Sequence, residues 1–147
     1  MGTVVVGVDG SGGSTEALKW AADESRRRNA HLRIVGVWQP PIYAFPGFEA
    51  AGADHDHLQA LAEERLCAYA EEVMAGSGAD WDLVVREGQA AWVLADEARD
   101  AELLVVGSRG HGGVRSALLG SVSTQLAHHA PCPVAIIRPD RHETGEG

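Results

Sequence analysis

Residues 102–123 read ELLVVGSRGHGGVRSALLGSVS, and the order of features in this stretch decides the fold. Leu103, Leu104, Val105 and Val106 are apolar at every position, as in a strand covered on both faces, where a half-exposed strand would alternate. The run ends on Gly107-Ser108 and passes through a glycine-rich loop over about residues 109–119. It then resumes as a helical pattern from Ser121 to about Ala130. A covered strand followed by a loop and a helix is one arm of a crossover, the connection that parallel strands require.

The same unit repeats towards the N-terminus. Residues 3–9 (TVVVGVD) and 32–38 (LRIVGVW) are two more apolar strands, residues 81–86 (WDLVVR) a more polar one, and residues 134–138 (VAIIR) the last. Helical spacing fills the intervals. Leu18, Ala21, Ala22 and Ser25 form one stripe over residues 14–29, and Arg26, Arg27 and Arg28 suit the negative end of that helix dipole. Leu58, Leu61, Ala62, Leu66, Tyr69, Ala70 and Val73 stripe residues 54–75, and residues 89–99 form a third helix. Residues 39–53, with Pro40, Pro41, Pro46, Gly47 and Gly52, break regular structure.

Five strands alternating with four helices predict a single-domain α/β fold, an open parallel sheet with helices on both faces. The three all-apolar strands belong in the middle, which favours the order 3-2-1-4-5. Connections then reverse direction between strands one and four, and ligands of open α/β sheets bind beyond the strand ends at such a point. The residues expected there are Asp9-Gly10-Ser11 and Gly107-Ser108-Arg109-Gly110. The domain is expected to occupy residues 1–139, with a disordered tail over 140–147.

Composition narrows the function classes. Twelve Lys+Arg against 21 Asp+Glu give a net charge of −9, the wrong sign for a nucleic-acid-coating protein. No apolar run approaches the ~20 residues of a membrane span, and Met1-Gly2-Thr3 leads straight into a strand, so a cytoplasmic protein is expected. Two cysteines, Cys67 and Cys132, make no disulfide framework. Acidic residues are absent between Glu102 and Asp140, where Arg109, His111, Arg115, His128, His129 and Arg138 lie. Buried strand and helix account for part of that absence, but not for the loop, which is a locally electropositive place for an anion. Ser121 and Ser123 stand at a helix start whose free N–H groups suit phosphate, although a turn with a plain serine cap has the same residues.

The spacing Gly107-x2-Gly110-x9-Gly120-Ser121 resembles the nucleotide-binding signature of the universal stress protein family. The resemblance covers nearly the whole chain. Val8-Asp9-Gly10-Ser11 with Ser14, Ala17, Leu18, Trp20 and Ala21 is similar to the family's opening, and residues 130–134 (APCPV) to its closing turn. The resemblance implies an adenine nucleotide alpha hydrolase-like fold that binds ATP, with Mg²⁺ bridging phosphate oxygens and no metal site of its own. It also implies a stress-response role and a homodimer, which the apolar edge strand Val134–Ile137 favours as well. The missing P-loop lysine and the lack of a water-orienting group lead to an expectation of little or no turnover. By position, Asp9 lies beside the adenosine and the backbone of Val37 meets the adenine. Gly107, Gly110, Gly120, Ser121, Val122 and Ser123 line the ribose and phosphates, with Arg109 a nearby cation. ATP is the expected ligand, and the sequence does not by itself distinguish it from a relative such as cyclic AMP.

Other motifs carry less. Residues 7–14 (GVDGSGGS) have Walker A spacing, but Gly13 stands where the lysine is needed, and Lys19 is the chain's one lysine. Residues 11–13 (SGG) resemble the loop of pyrophosphate-forming ATPases, followed here by Thr15-Glu16 in place of Asp and Ser; an enzyme of that type is one alternative, and a nucleotide-free interaction module another. Asp54-His55-Asp56-His57 reads as a solvated helix start. The four tryptophans read as packing residues, and no residue is assigned a catalytic role.

Overall fold

The computed structural model describes residues 2–10, 12–40, 54–108 and 119–139. Strands β1 (Thr3–Val8), β2 (His31–Trp38), β3 (Trp81–Glu87), β4 (Leu103–Gly107) and β5 (Val134–Ile137) alternate with helices α1 (Gly12–Arg28), α2 (His55–Met74), α3 (Ala90–Glu97) and α4 (Ser121–His129). The strands form one sheet of order β3-β2-β1-β4-β5, and every pairing is parallel. This is the predicted topology, and each element begins and ends within two residues of its expected place.

Pleating explains why the central strands carry apolar residues without a break. Val4, Val6 and Val8 of β1 point into a core shared with α1 and α2, while Val5 points into a second core with α3 and α4. Val4, Val5 and Val6 are therefore all fully buried. Edge strands β3 and β5 are only half-covered, as their sequences and positions require. Close approach of helix and sheet also sets residue choice: a Cβ on Gly7 would lie 2.6 Å from Cδ1 of Leu94 in α3.

Helix α1 ends where Asn29 takes a φ of 58°, and the Ala30 N–H bonds back to the Ser25 carbonyl over 2.8 Å. The chain thereby turns directly into β2. Helix α2 starts at Asp54, whose carboxylate accepts the Asp56 N–H over 3.2 Å, in keeping with an acidic helix start.

The packing role expected of the tryptophans holds for Trp20 and Trp81, which lie against the first core. Trp92 departs from it, being 63% exposed with the Arg86 guanidinium 5.9 Å from its ring centre. Helix α3 has only eight residues and buries Val93 and Leu94, so its neighbour one step back points outward. Most of the loop over 39–53, the glycine-rich loop over 109–118 and the tail from 140 lie outside the described residues.

Candidate functional site

All four helices follow a strand in a parallel sheet, so their N-termini gather at the carboxyl ends of the strands. There a cavity of about 710 Å³ opens over β1, β2 and β4. Its lining includes Asp9 after β1, Val37 of β2, Gly107 of β4, and Gly120, Ser121, Val122 and Ser123 at the start of α4. Seven of the nine predicted site residues thus share one cavity at the predicted switch point. The other two, Arg109 and Gly110, lie outside the described residues.

The start of α4 is built from hydrogen bonds. The Gly120 N–H bonds the Ser108 carbonyl over 2.7 Å, tying the helix to the end of β4. The first bond within the helix runs from Thr124 N–H to Gly120 O, so the N–H groups of Ser121, Val122 and Ser123 have no partner inside the helix. No side chain caps Gly120. Ser123 is 1% exposed, and its hydroxyl donates inward to the carbonyls of Ser108 and Gly120 at 3.2 and 3.1 Å. A hydroxyl has one proton to give, so this side chain braces the loop, while Ser121 stands exposed at the rim of the cavity.

Asp9 is the one charged side chain among the described residues lining the cavity. Its N–H donates to Ser14 Oγ over 3.4 Å, and Ser14 Oγ lies 2.9 Å from the Tyr69 hydroxyl of α2. Arg138, His128 and His129 stand away from the lining, and Arg109, His111 and Arg115 lie outside the described residues. Among described groups the attraction for an anion comes from the amide ends of α3 and α4. Burial pushes the Cys132 thiol pKa up, away from the thiolate form that an activated cysteine needs.

A family model described as the universal stress protein family matches residues 1–138. The chain belongs to that family. A universal stress protein of Mycobacterium tuberculosis is 37% identical over 139 residues, covering 94% of this chain and 48% of its own length. The chain spans about half the length of the curated relatives it matches. A universal stress protein solved in complex with cyclic AMP is 30% identical with a TM-score of 0.66, covering 92% of this chain and 95% of its own. The fold also matches a universal stress protein of Lactobacillus plantarum, with a TM-score of 0.76 at 23% identity over 93% of this chain and 97% of that one.

This universal stress protein also has a second cavity wall that the sequence did not announce. Trp38 ends β2 and Gln39 follows it, while Gly88 and Gln89 join β3 to Ala90, the first residue of α3. Gly88 takes a φ of 146° and its N–H bonds the Trp38 carbonyl over 3.0 Å, folding the turn against β2. Gln89 precedes α3 without capping it by a side-chain bond, so the first amides of this helix also face the cavity region. The lone Gly88 between a strand and a helical pattern was the available signal. Among the described residues no helix is long and apolar enough to cross a membrane.

Proposed function

We propose that residues 1–139 form a cytoplasmic regulatory module that binds ATP in this cavity and turns it over slowly or not at all. The observation that carries the reading is the uncapped start of α4, open to the cavity at the switch point, with Asp9 on the β1 side. In this reading Asp9 and the backbone of Val37 take the adenosine end. Gly107, Gly120, Ser121 and Val122 take the phosphates through backbone amides and the Ser121 hydroxyl, with Gly110 and Arg109 completing the loop. Ser123 holds the helix start in place. A volume of about 710 Å³ lies within the range of small-ligand sites, roughly 300–1,000 Å³.

Mg²⁺ fits as a passenger on the phosphates. Among the described residues no group of three or more His, Cys, Asp or Glu is placed to hold a metal. At the phosphate end the cavity offers the Ser121 hydroxyl, a single oxygen donor that suits an ion keeping its waters and phosphate oxygens. Strand β5, paired on one side only by β4, is the proposed edge for a symmetric homodimer.

The test separates the two ends of the ligand. Asp9→Ala is expected to weaken ATP, ADP and AMP alike, by about ten- to a hundredfold, the value of a hydrogen bond to a charged group. Gly120→Val should weaken ATP far more than AMP, because the added side chain obstructs the amides that meet the longer phosphate chain. Calorimetric titration of folded variants decides it, and equal losses for all three nucleotides in both variants overturn the assignment. The relative solved with cyclic AMP supports a second reading, in which cyclic AMP is the nucleotide that occupies the cavity.

A further inference from the structure

The wall missed by the sequence is held by a side-chain contact between elements far apart in the chain. His55, the first residue of α2, places Nε2 2.5 Å from Oε1 of Glu87, the last residue of β3. The His55 ring also lies against Trp38, the last residue of β2, with ring centres 5.8 Å apart at a tilt of 36°. Trp38 and Glu87 face each other as the final register pair of β2 and β3, and Gly88 follows at once. One imidazole thus ties together the start of α2, the end of β2 and the turn that opens α3. Two of those segments line the cavity.

We propose that His55 is a positioning residue of the nucleotide site: its bond to Glu87 and its contact with Trp38 hold the Trp38–Gln89 wall in the shape that receives the ligand, more firmly as imidazolium than as imidazole. This rests on the nucleotide-binding reading and adds a proton dependence to it. A charge-assisted bond between imidazolium and carboxylate is shorter and stronger than one from a neutral ring, so the wall tightens on protonation.

The groups around His55 agree. From β3 it meets Glu87, and on its own helix Asp56, whose Oδ1 lies 3.6 Å from Nδ1, with Asp54 capping the same helix; β2 contributes the uncharged Trp38, and the turn into α3 the uncharged Gln89. The positive end of α2 opposes a cation at this place. The Glu87 hydrogen bond and its charge, with a smaller part from Asp56, nevertheless hold the His55 pKa above its ordinary 6.5. The sign follows. A closed wall is favoured below that value, and the advantage is lost as pH rises through the raised pKa, so ligand affinity should fall with rising pH.

Nucleotide titrations at about pH 6 and about pH 9 test the proposal, using ATP with Mg²⁺ and, separately, cyclic AMP, whose phosphodiester keeps one charge throughout. Wild-type affinity is expected to fall across this range about two- to fivefold more than that of His55→Gln or Glu87→Gln, the scale of an exposed ion pair. Ionisation of ATP itself is common to all three proteins and cancels in the comparison. A pH dependence shared by wild type and both variants overturns the proposal. A second readout needs no ligand. Trp38 emission, isolated by difference from Trp38→Phe, should change as His55 titrates and stay flat in His55→Gln. If no adenine nucleotide binds at any pH, the function proposed above fails while this emission titration stands. If nucleotide binds but emission does not follow His55, the latch itself is wrong.

Discussion

Replacing Gly7 by alanine tests how the sheet sets the cavity. A Cβ at Gly7 would stand 2.6, 2.9 and 3.3 Å from Cδ1, Cδ2 and Cγ of Leu94. All three atoms belong to one branched side chain that is only 3% exposed, so rotating a terminal methyl does not relieve the overlap. Either the Leu94 side chain repacks within the core or α3 moves outward. Overpacking of this kind costs about 1–3 kcal/mol, and the reduced chain entropy of alanine returns about 0.4–1 kcal/mol. The net loss is expected to lie between about 0 and 2.6 kcal/mol, a drop in Tm of at most roughly 10 °C at this chain length. Denaturant unfolding of Gly7→Ala, Leu94→Ala and the double variant measures it. Leu94→Ala alone should cost about 2–5 kcal/mol by opening a cavity. In the double variant the new methyl sits in that cavity, so the combined loss should fall short of the sum by about 1 kcal/mol or more. Losses that add to within about 0.5 kcal/mol would refute the claim that Gly7 is required by Leu94.

Two further outcomes follow from the same geometry. The Leu104 and Ser108 amides bond the carbonyls of Pro133 and Ile137, so those residues of β5 face β4 and the Ile136 amide faces the open edge. Ile136→Pro should therefore convert a dimer to a monomer in light scattering while circular dichroism stays native, and a wild-type protein that is already monomeric at micromolar concentration sinks the edge-pairing proposal. At the opposite end of the sheet, His31 bonds Asp80 at 3.0 Å and Asp82 at 2.8 Å, and these two carboxylates, Asp80 first, hold its pKa above 6.5. Its contribution should be complete below the unfolded value of 6.5 and vanish as pH rises through the folded one, so the stability gap between wild type and His31→Gln should narrow from about pH 6 to about pH 9.

Much of the site was legible because its parts lie next to each other in the chain. Gly107, Gly120, Ser121 and Val122 belong to one strand–loop–helix unit, and local spacing is enough to show glycines at a turn and a free helix start. Asp9 was legible for a similar reason, as the residue that ends an all-apolar strand. What stayed hidden depends on pairs remote in sequence. Trp38 and Glu87 become neighbours only through the β2–β3 register, and His55 reaches both only because α2 starts above that strand end. A reading of residues 54–57 by themselves could give no more than a solvated helix start.

Ser123 shows the same division within a single residue. Its place at the opening of α4 can be read from the spacing, but its inward hydroxyl depends on the Ser108 carbonyl, fifteen positions away. The amino-acid sequence by itself determined the element order, the sheet order and the end of the sheet at which the cavity opens. Those properties come from unbroken apolar runs and helical periodicity, which each segment carries independently of its neighbours. Only the tertiary structure decided which amides and hydroxyls face the cavity, which tryptophan faces solvent and which histidine meets a carboxylate. Those outcomes depend on strand register and helix placement, which set distances between groups that no local pattern relates.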